Sequence, residues 1–292
     1  MFLIVNEALS DNLGDQLISE AASSIFHDSF TADYSWFVST NDRGRPKKFL
    51  PSDKKVRRHS LVRVFLGKGL LAMRFWKKYR SFKFEAVVVG GGQLLLSNRV
   101  FPVNLYLWSL LAAVWSLPFY VLSVGLSADT SYIQRKLIQL SLKRAVSITV
   151  RDDKSKYLLQ SEYGISAEVI PDLVYIFSNA LSEDKLARRS FVCPVEYSVY
   201  LNYRHEADFT VYSYAEYIDF WCDLILEERR KGEVVIGATT QGDASIAKKI
   251  AQLTNSLFME CETHREFQSE VRKCTRVIAG RMHALIMAHI EG

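Results

Sequence analysis

Along the chain, short runs of apolar and β-branched residues alternate with longer stretches whose apolar positions recur every three or four residues. The runs predict strands at Phe2–Val5, Ala86–Val89, Phe119–Val124, Ser147–Val150, Val169–Ile170, Val199–Asn202, Val234–Ile236 and Val277–Ile278. The longer stretches predict helices over Asp15–Phe26, Leu105–Trp115, Tyr132–Arg144, Lys154–Tyr163, Tyr214–Lys231, Ala244–Leu253, His264–Cys274 and His283–Ile290. Near-continuous apolar strands separated by helices are the pattern of α/β folds, in which helices cover both faces of a parallel sheet. Such sheets present ligand-facing residues just beyond the carboxyl ends of their strands.

From Phe177 to Tyr197 the periodicity fades and Pro194 interrupts it, so a boundary between two α/β halves is expected there. The halves are read as 1–180 and 195–292, and a chain of 292 residues with 49% hydrophobic content can fill two cores. After the helix start RMHALIMAHIEG a half of this kind is expected to continue with a further strand and helix, so the second half reads as short of its natural end. The apolar stretch from Val103 to Leu126 is divided by Pro118 and predicts a buried helix followed by a buried strand rather than a membrane span.

Charge adds one local feature. The overall +5 is too small to imply a polyanionic partner, but from Arg43 to Lys83 there are 15 Lys and Arg against one acid, Asp53. That stretch carries +14 and the rest of the chain −9. Its segment GLLAMRFWKKYRSFKF places Leu70, Leu71, Phe75, Trp76, Tyr79 and Phe82 among Arg74, Lys77, Lys78, Arg80 and Lys83, a composition suited to the surface of an anionic membrane. A basic helix with its apolar face turned to the core fits the same residues. Nucleic acid would fit cations interleaved with aromatic rings, but no nucleic-acid-binding motif accompanies them and none is expected to bind.

Cys193, Cys222, Cys261 and Cys274 lie far apart, without the paired short spacing of a zinc or dithiol site. Neither do His27, His59, His205, His264 and His289 have metal-ligand spacing, so no metal is expected. The opening residues MFLIVNEALSDN lack the basic leader of a secretory signal, and a cytoplasmic protein is expected.

Five clusters sit where strands are expected to end. Asn12, Gly14 and Asp15 open the first helix, where unpaired N–H groups suit an anion, although taken alone the cluster reads better as an ordinary turn with Asn12 or Asp15 as cap. Gly90, Gly91 and Gly92 follow the strand AVVV, a place where a side chain would obstruct either a ligand or another part of the protein. They match neither the dinucleotide nor the phosphate-loop pattern. Arg151 precedes Asp152 and Asp153 at a helix start, and its planar fork suits a carboxylate or phosphate unless those acids occupy it at the surface. Asp172 follows Pro171 and either faces a ligand or caps the next turn. Arg281 and His283 follow Gly280, placing a fixed cation beside a side chain able to transfer protons near neutral pH.

Taken in order, NLGDQLI, GGGQLL, SVGLSA, VRDDKS, IPDLVYIF, LNYR and GRMHALIMA resemble the polysaccharide pyruvyl transferase family, from Asn12 to the last residue. Where that family often has a glycine-rich turn with proline, this chain has Gly125-Leu126-Ser127-Ala128. The resemblance implies two Rossmann-like halves like those of a two-domain (GT-B-like) glycosyltransferase, with the active site in the interdomain cleft. It implies an acceptor-binding first half and a donor-binding second half. It also implies phosphoenolpyruvate as donor and a glycan, in one version lipid-linked, as acceptor. Arg151, Arg281 and His283 take the catalytic positions; Asn202 and Arg204 of LNYR, on an expected strand, become secondary contacts. Asn12, Gly14, Asp15, Gly90, Gly91, Gly92 and Asp172 become substrate-binding candidates. No cofactor is implied, because arginines can hold both anionic groups of the donor.

Two other classes of function remain as alternatives. A nucleotide-sugar glycosyltransferase would share the fold, and Glu262 and Glu270 stand at the E-x7-E spacing some of them use. Both glutamates are expected on a solvated helix face. A non-catalytic protein binding an anionic partner through the basic stretch is the other.

Overall fold

The computed structural model describes residues 1–40, 61–95, 100–127, 130–178, 188–202 and 212–292. The chain forms two compact units. One comprises Met1–Ser10 with Asp15–Ile176, the other Asp11–Gly14 with Phe177–Gly292.

The first unit is built on a parallel sheet ordered β2-β1-β3-β4-β5-β6. Its strands are β1 (Phe2–Asn6), β2 (Ser29–Asp33), β3 (Ala86–Leu95), β4 (Phe119–Leu126), β5 (Ala145–Val150) and β6 (Glu168–Val169). Its helices are α1 (Leu13–Ile25), α2 (Leu61–Tyr79), α3 (Phe101–Val114), α4 (Tyr132–Leu142) and α5 (Asp153–Tyr163), followed by a 3-10 turn, Leu173–Phe177. Leu3 and Val5 of β1 join one core with Phe75 and Tyr79 of α2 and Trp108 of α3. Trp108 stacks on Phe37 with centroids 4.5 Å apart, and its indole N–H donates to the Tyr34 carbonyl at 3.0 Å. Losing so large a buried ring would cost roughly 3–5 kcal/mol. Phe2 of β1 instead meets Phe26, just past the end of α1, with ring centroids 5.0 Å apart.

The stretch from Val103 to Leu126 is a buried helix and a buried strand. Pro102 lies in the first turn of α3, where a missing N–H costs little. The chain leaves α3 through Ser116, held in a left-handed conformation, two residues before Pro118. The basic stretch holds α2, whose Ala72, Phe75 and Tyr79 are buried. Phe75 and Tyr79, named above among residues for a membrane surface, therefore belong to the core, and Leu71 and Trp76 pack against it. Residues 43–60 of that stretch lie outside the described residues.

The second unit has a parallel sheet ordered β10-β7-β8-β9. Its strands are β7 (Arg189–Cys193), β8 (Glu233–Ile236), β9 (Leu257–Phe258) and β10 (Arg276–Ala279). Its helices are α6 (Tyr197–Asn202), α7 (Tyr214–Lys231), α8 (Gln241–Thr254), α9 (His264–Arg272) and α10 (Met282–Ile290). Two expectations are corrected here. The segment assigned to a linker contains β7, an inner strand of the sheet, all five of whose residues are buried. The strand expected at Val199–Asn202 is instead the end of α6, because helical spacing brings the rings of Tyr197 and Tyr200 onto Tyr217 of α7 at 5.4 and 4.8 Å. Asn202 thus closes a helix, and Arg204 lies outside the described residues.

In each sheet the chain starts in an inner strand and places later strands on both sides of it. Strand order reverses between β1 and β3 in the first unit and between β7 and β10 in the second. Ligands of open α/β sheets bind beyond the carboxyl ends of the strands at such reversals.

Candidate functional site

At the reversal of the second unit, β10 ends at Ala279, and Gly280 and Arg281 lead into α10. The Gly280 N–H donates to the Cys193 carbonyl at 3.0 Å, which keeps the two strand ends together. Arg281 is not an open fork. Its Nε donates to Asp243 Oδ2 at 2.8 Å and its Nη2 to Asp243 Oδ1 at 3.0 Å. Asp243 lies in the first turn of α8 and is fully buried. Its Oδ1 also accepts the Glu196 N–H at 2.8 Å, and its own N–H donates to Thr240 Oγ1 at 3.1 Å. A carboxylate removed from water at a helix amino terminus is stabilised by the helix dipole and by charge-assisted hydrogen bonds. One side chain thereby joins the loop after β7, the start of α8 and the end of β10.

His283 stands in the first turn of α10, and its Nε2 is buried without a hydrogen-bond partner. Its ring lies on Gly14. A Cβ at residue 14 would fall 2.2 Å from His283 Cγ, a distance no side chain tolerates. Gly14 is held by its own N–H donating to Asn12 Oδ1 at 3.0 Å. The flanking residues are tied down too: the Leu13 N–H donates to the Thr239 carbonyl at 2.9 Å, and the Gln241 N–H to Asp11 Oδ2 at 3.2 Å. Asn12 thus makes the local turn that its residue type allows, and the same turn seats Gly14 beneath His283.

In the first unit Arg151 directly follows β5, with its guanidinium against Gly125: a Cβ there would lie 2.7 Å from Arg151 Nε. Its side chain is only 10% exposed, so pairing with acids at the surface does not describe it. Arg151 Nε is 3.6 Å from Asp152 Oδ2, and Nη1 is 3.6 Å from Asp172 Oδ2. Both distances are too long for hydrogen bonds. Nη1 and Asp172 Oδ2 are each buried without a hydrogen-bond partner. The remaining carboxylate oxygens are used locally: Asp152 Oδ1 caps α5 by accepting the Ser155 N–H at 2.6 Å, and Asp172 Oδ1 accepts the Val174 N–H at 3.2 Å.

Gly90, Gly91 and Gly92 lie within β3 rather than in a loop after it, and Gly91 and Gly92 have left-handed φ of 76° and 81°. A Cβ on Gly91 would meet Ile18 of α1 at 2.0 Å, so this glycine lets α1 close onto the sheet. The Cβ position of Gly92 is 3.9 Å from Asp15 Oδ1.

The charge of Asp15 acts on Glu7, and Glu7 in turn stands beside Asp33, two acids that the sequence pattern does not single out. Asp33, at the end of β2, pairs in register with Asn6. Its Oδ2 accepts the Leu9 N–H at 2.9 Å, and its Oδ1 accepts those of Ser35 and Trp36 at 3.0 and 2.8 Å. Glu7 Oε1 accepts the Ser35 hydroxyl at 2.5 Å. Burial, and then the charge of Asp33, push the Glu7 carboxyl well above its usual range; burial also raises Asp33. The buried amide of Asn6 has no hydrogen-bond partner on either atom.

Other chemistry is poorly served. Burial raises the Cys261 thiol to about 12 and the Cys274 thiol to about 11, far from a reactive thiolate at neutral pH. Glu270 is buried beside Arg189, at 3.4 Å, rather than solvated as expected. Arg189 begins β7, so Glu270 sits at the amino-terminal edge of the sheet, away from the strand ends that bind ligands. No group of three or more His, Cys, Asp or Glu side chains able to hold a metal occurs among the described residues.

The family model for polysaccharide pyruvyl transferases matches residues 12–292. No curated protein matches the chain. Among solved structures, Acinetobacter baumannii MurG aligns with 98% of this chain and 72% of its own, at 10% identity and a TM-score of 0.43. The E. coli heptosyltransferase WaaC with ADP-2-deoxy-2-fluoro heptose aligns with 100% of this chain and 86% of its own, at 9% identity and a TM-score of 0.38.

Proposed function

This chain belongs to the polysaccharide pyruvyl transferase family, and from that premise we propose that it transfers the pyruvyl group of phosphoenolpyruvate to two hydroxyls of a glycan sugar, forming a ketal and releasing phosphate. What supports this is the arrangement at the end of β10: a guanidinium oriented by a buried carboxylate, two residues before an imidazole whose Nε2 is buried and unpartnered. In the proposed reaction a proton is added to the methylene carbon of the donor and one sugar hydroxyl oxygen bonds to the adjacent carbon. The carbon–oxygen bond to phosphate then breaks, and a second hydroxyl oxygen closes the ketal. Of the two hydroxyl protons, one is balanced by the new methyl hydrogen and the other leaves with phosphate.

His283 is the proton carrier in this scheme, and Arg281 neutralises one anionic group of the donor. Arg151, whose guanidinium makes only long contacts with its two carboxylates, is assigned the second cation. Asn12, Gly14, Asp15 and the glycines of β3 are assigned to substrate binding. The scheme calls on no metal or organic cofactor. A cytoplasmic site of action is proposed on the free state of all four cysteines. Among the described residues no helix is long and apolar enough to cross a membrane.

The test is a stoichiometric assay of the purified chain with phosphoenolpyruvate and a glycan acceptor. Phosphate and ketal are expected to appear in equal amounts. Release of a nucleoside diphosphate from a nucleotide sugar, with phosphoenolpyruvate untouched, would replace this function by glycosyl transfer.

A further inference from the structure

Helix α2 has two apolar faces, and the core uses one of them. Ala72, Phe75 and Tyr79 face inward. Val62, Leu66, Leu70 and Met73, spaced four, four and three residues apart, share a second face. They are 67, 64, 54 and 48% exposed. Among the described residues outside the helix's own backbone, nothing lies within 4 Å of where a Cβ on Gly67 or Gly69 would stand. Single exposed apolar side chains are ordinary, but a row along three turns of a helix already anchored by its other face marks an interaction surface.

The charge that α2 itself carries has one sign. Arg63 and Arg74 flank the row, Lys77 continues it, and Lys78, Arg80 and Lys83 follow, all of them exposed. α2 contains no Asp or Glu. A twofold contact between copies of the chain through this row would set like charges against one another. A surface that is apolar within and anionic at its boundary satisfies both parts of the pattern at once.

We propose that this face of α2 docks the protein on an anionic lipid bilayer. Val62, Leu66, Leu70 and Met73 enter the boundary between headgroups and acyl chains. Arg74, Lys77, Lys78 and Arg80 meet the lipid phosphates. The helix lies in the plane of the surface while Phe75 and Tyr79 stay in the core, so docking requires no unfolding.

Co-sedimentation of the whole chain with vesicles tests this without any activity measurement, and so independently of the pyruvyl-transfer reading. Binding is expected to phosphatidylcholine vesicles containing phosphatidylserine, not to phosphatidylcholine alone, and to weaken as salt rises. Replacing Lys77, Lys78 and Arg80 by Gln should lower the partition constant about a hundredfold, at about fivefold per cation. The Leu66→Gln/Leu70→Gln variant should also lose most binding, with an unchanged melting temperature because both residues are exposed. Absence of binding to anionic vesicles, equal binding to neutral ones, or full binding by the Leu66→Gln/Leu70→Gln variant would overturn the proposal. So would a dimer of the wild-type chain that this variant converts to monomer, or capture by an acidic protein that both variants abolish while vesicle binding persists.

Discussion

Arg281 gives two of its donors to the two oxygens of one carboxylate, that of Asp243. Asp243 is fully buried, whereas a quarter of the Arg281 side chain remains exposed, so the acid acts as the fixed element and the base as the working one. Asp243→Asn keeps the shape but turns one acceptor into a donor facing a donor. A stability loss of about 2–4 kcal/mol is expected in chemical denaturation. A raised KM for phosphoenolpyruvate, with the acceptor KM unchanged, distinguishes positioning of Arg281 from a purely structural role.

Gly14→Ala places a methyl group where the His283 ring stands. The ring must move, and turnover should fall at least tenfold. His283→Ala should lose about 10²- to 10⁴-fold, the usual worth of a general acid–base group. In the His283→Gly background, which removes the Cβ as well as the ring, Gly14→Ala should cost almost nothing further, because the two act through one contact. Independent, additive losses would separate Gly14 from the histidine.

Arg151→Lys should raise the KM for phosphoenolpyruvate, because an ammonium cannot offer the planar fork of a guanidinium. If only the acceptor KM rises, Arg151 serves the acceptor instead.

Glu7→Gln tests the acidic cluster of the first unit. Burial and Asp33 raise the Glu7 carboxyl, so the folded state holds this proton more tightly than the unfolded state. That contribution is complete below the ordinary glutamate value of about 4.3 and is lost as pH rises through the raised one. The wild type should therefore lose stability relative to Glu7→Gln between acid and neutral pH. Melting curves of the two proteins that run parallel across that range would contradict the raised carboxyl.

The α/β pattern is legible because buried parallel strands are nearly continuous apolar runs. β2 escapes that signature: SFTAD has few apolar residues and an acidic end. β7 opens with an arginine tolerated only because Glu233 and Glu270 lie beside it, and nothing in its sequence neighbourhood announces those partners. Val199–Asn202 has strand propensity, and tyrosine packing onto α7 makes it helix. The same distinction holds at the candidate site. Arg281 and His283 can be read at their strand-to-helix junction, whereas Asp243 looks like any acid in the first turn of a helix. Only the placement of α8 beside the end of β10 gives it its partner. Glu7 and Asp33 are not legible because the strand that aligns Asp33 with Asn6 carries no apolar signature.

Four residues from the first dozen or so, Asp11–Gly14, are counted with the second unit rather than the first. Severing the chain after Ile176 would therefore not yield two self-sufficient fragments. The later one would leave the Thr239 carbonyl and the Gln241 N–H without their present partners and the His283 ring without its floor. Chimaeras that exchange the second unit between relatives inherit the same constraint: the graft has to carry residues 11–14 with it, and a crossover at Phe177 alone would join a histidine from one parent to a glycine turn from another.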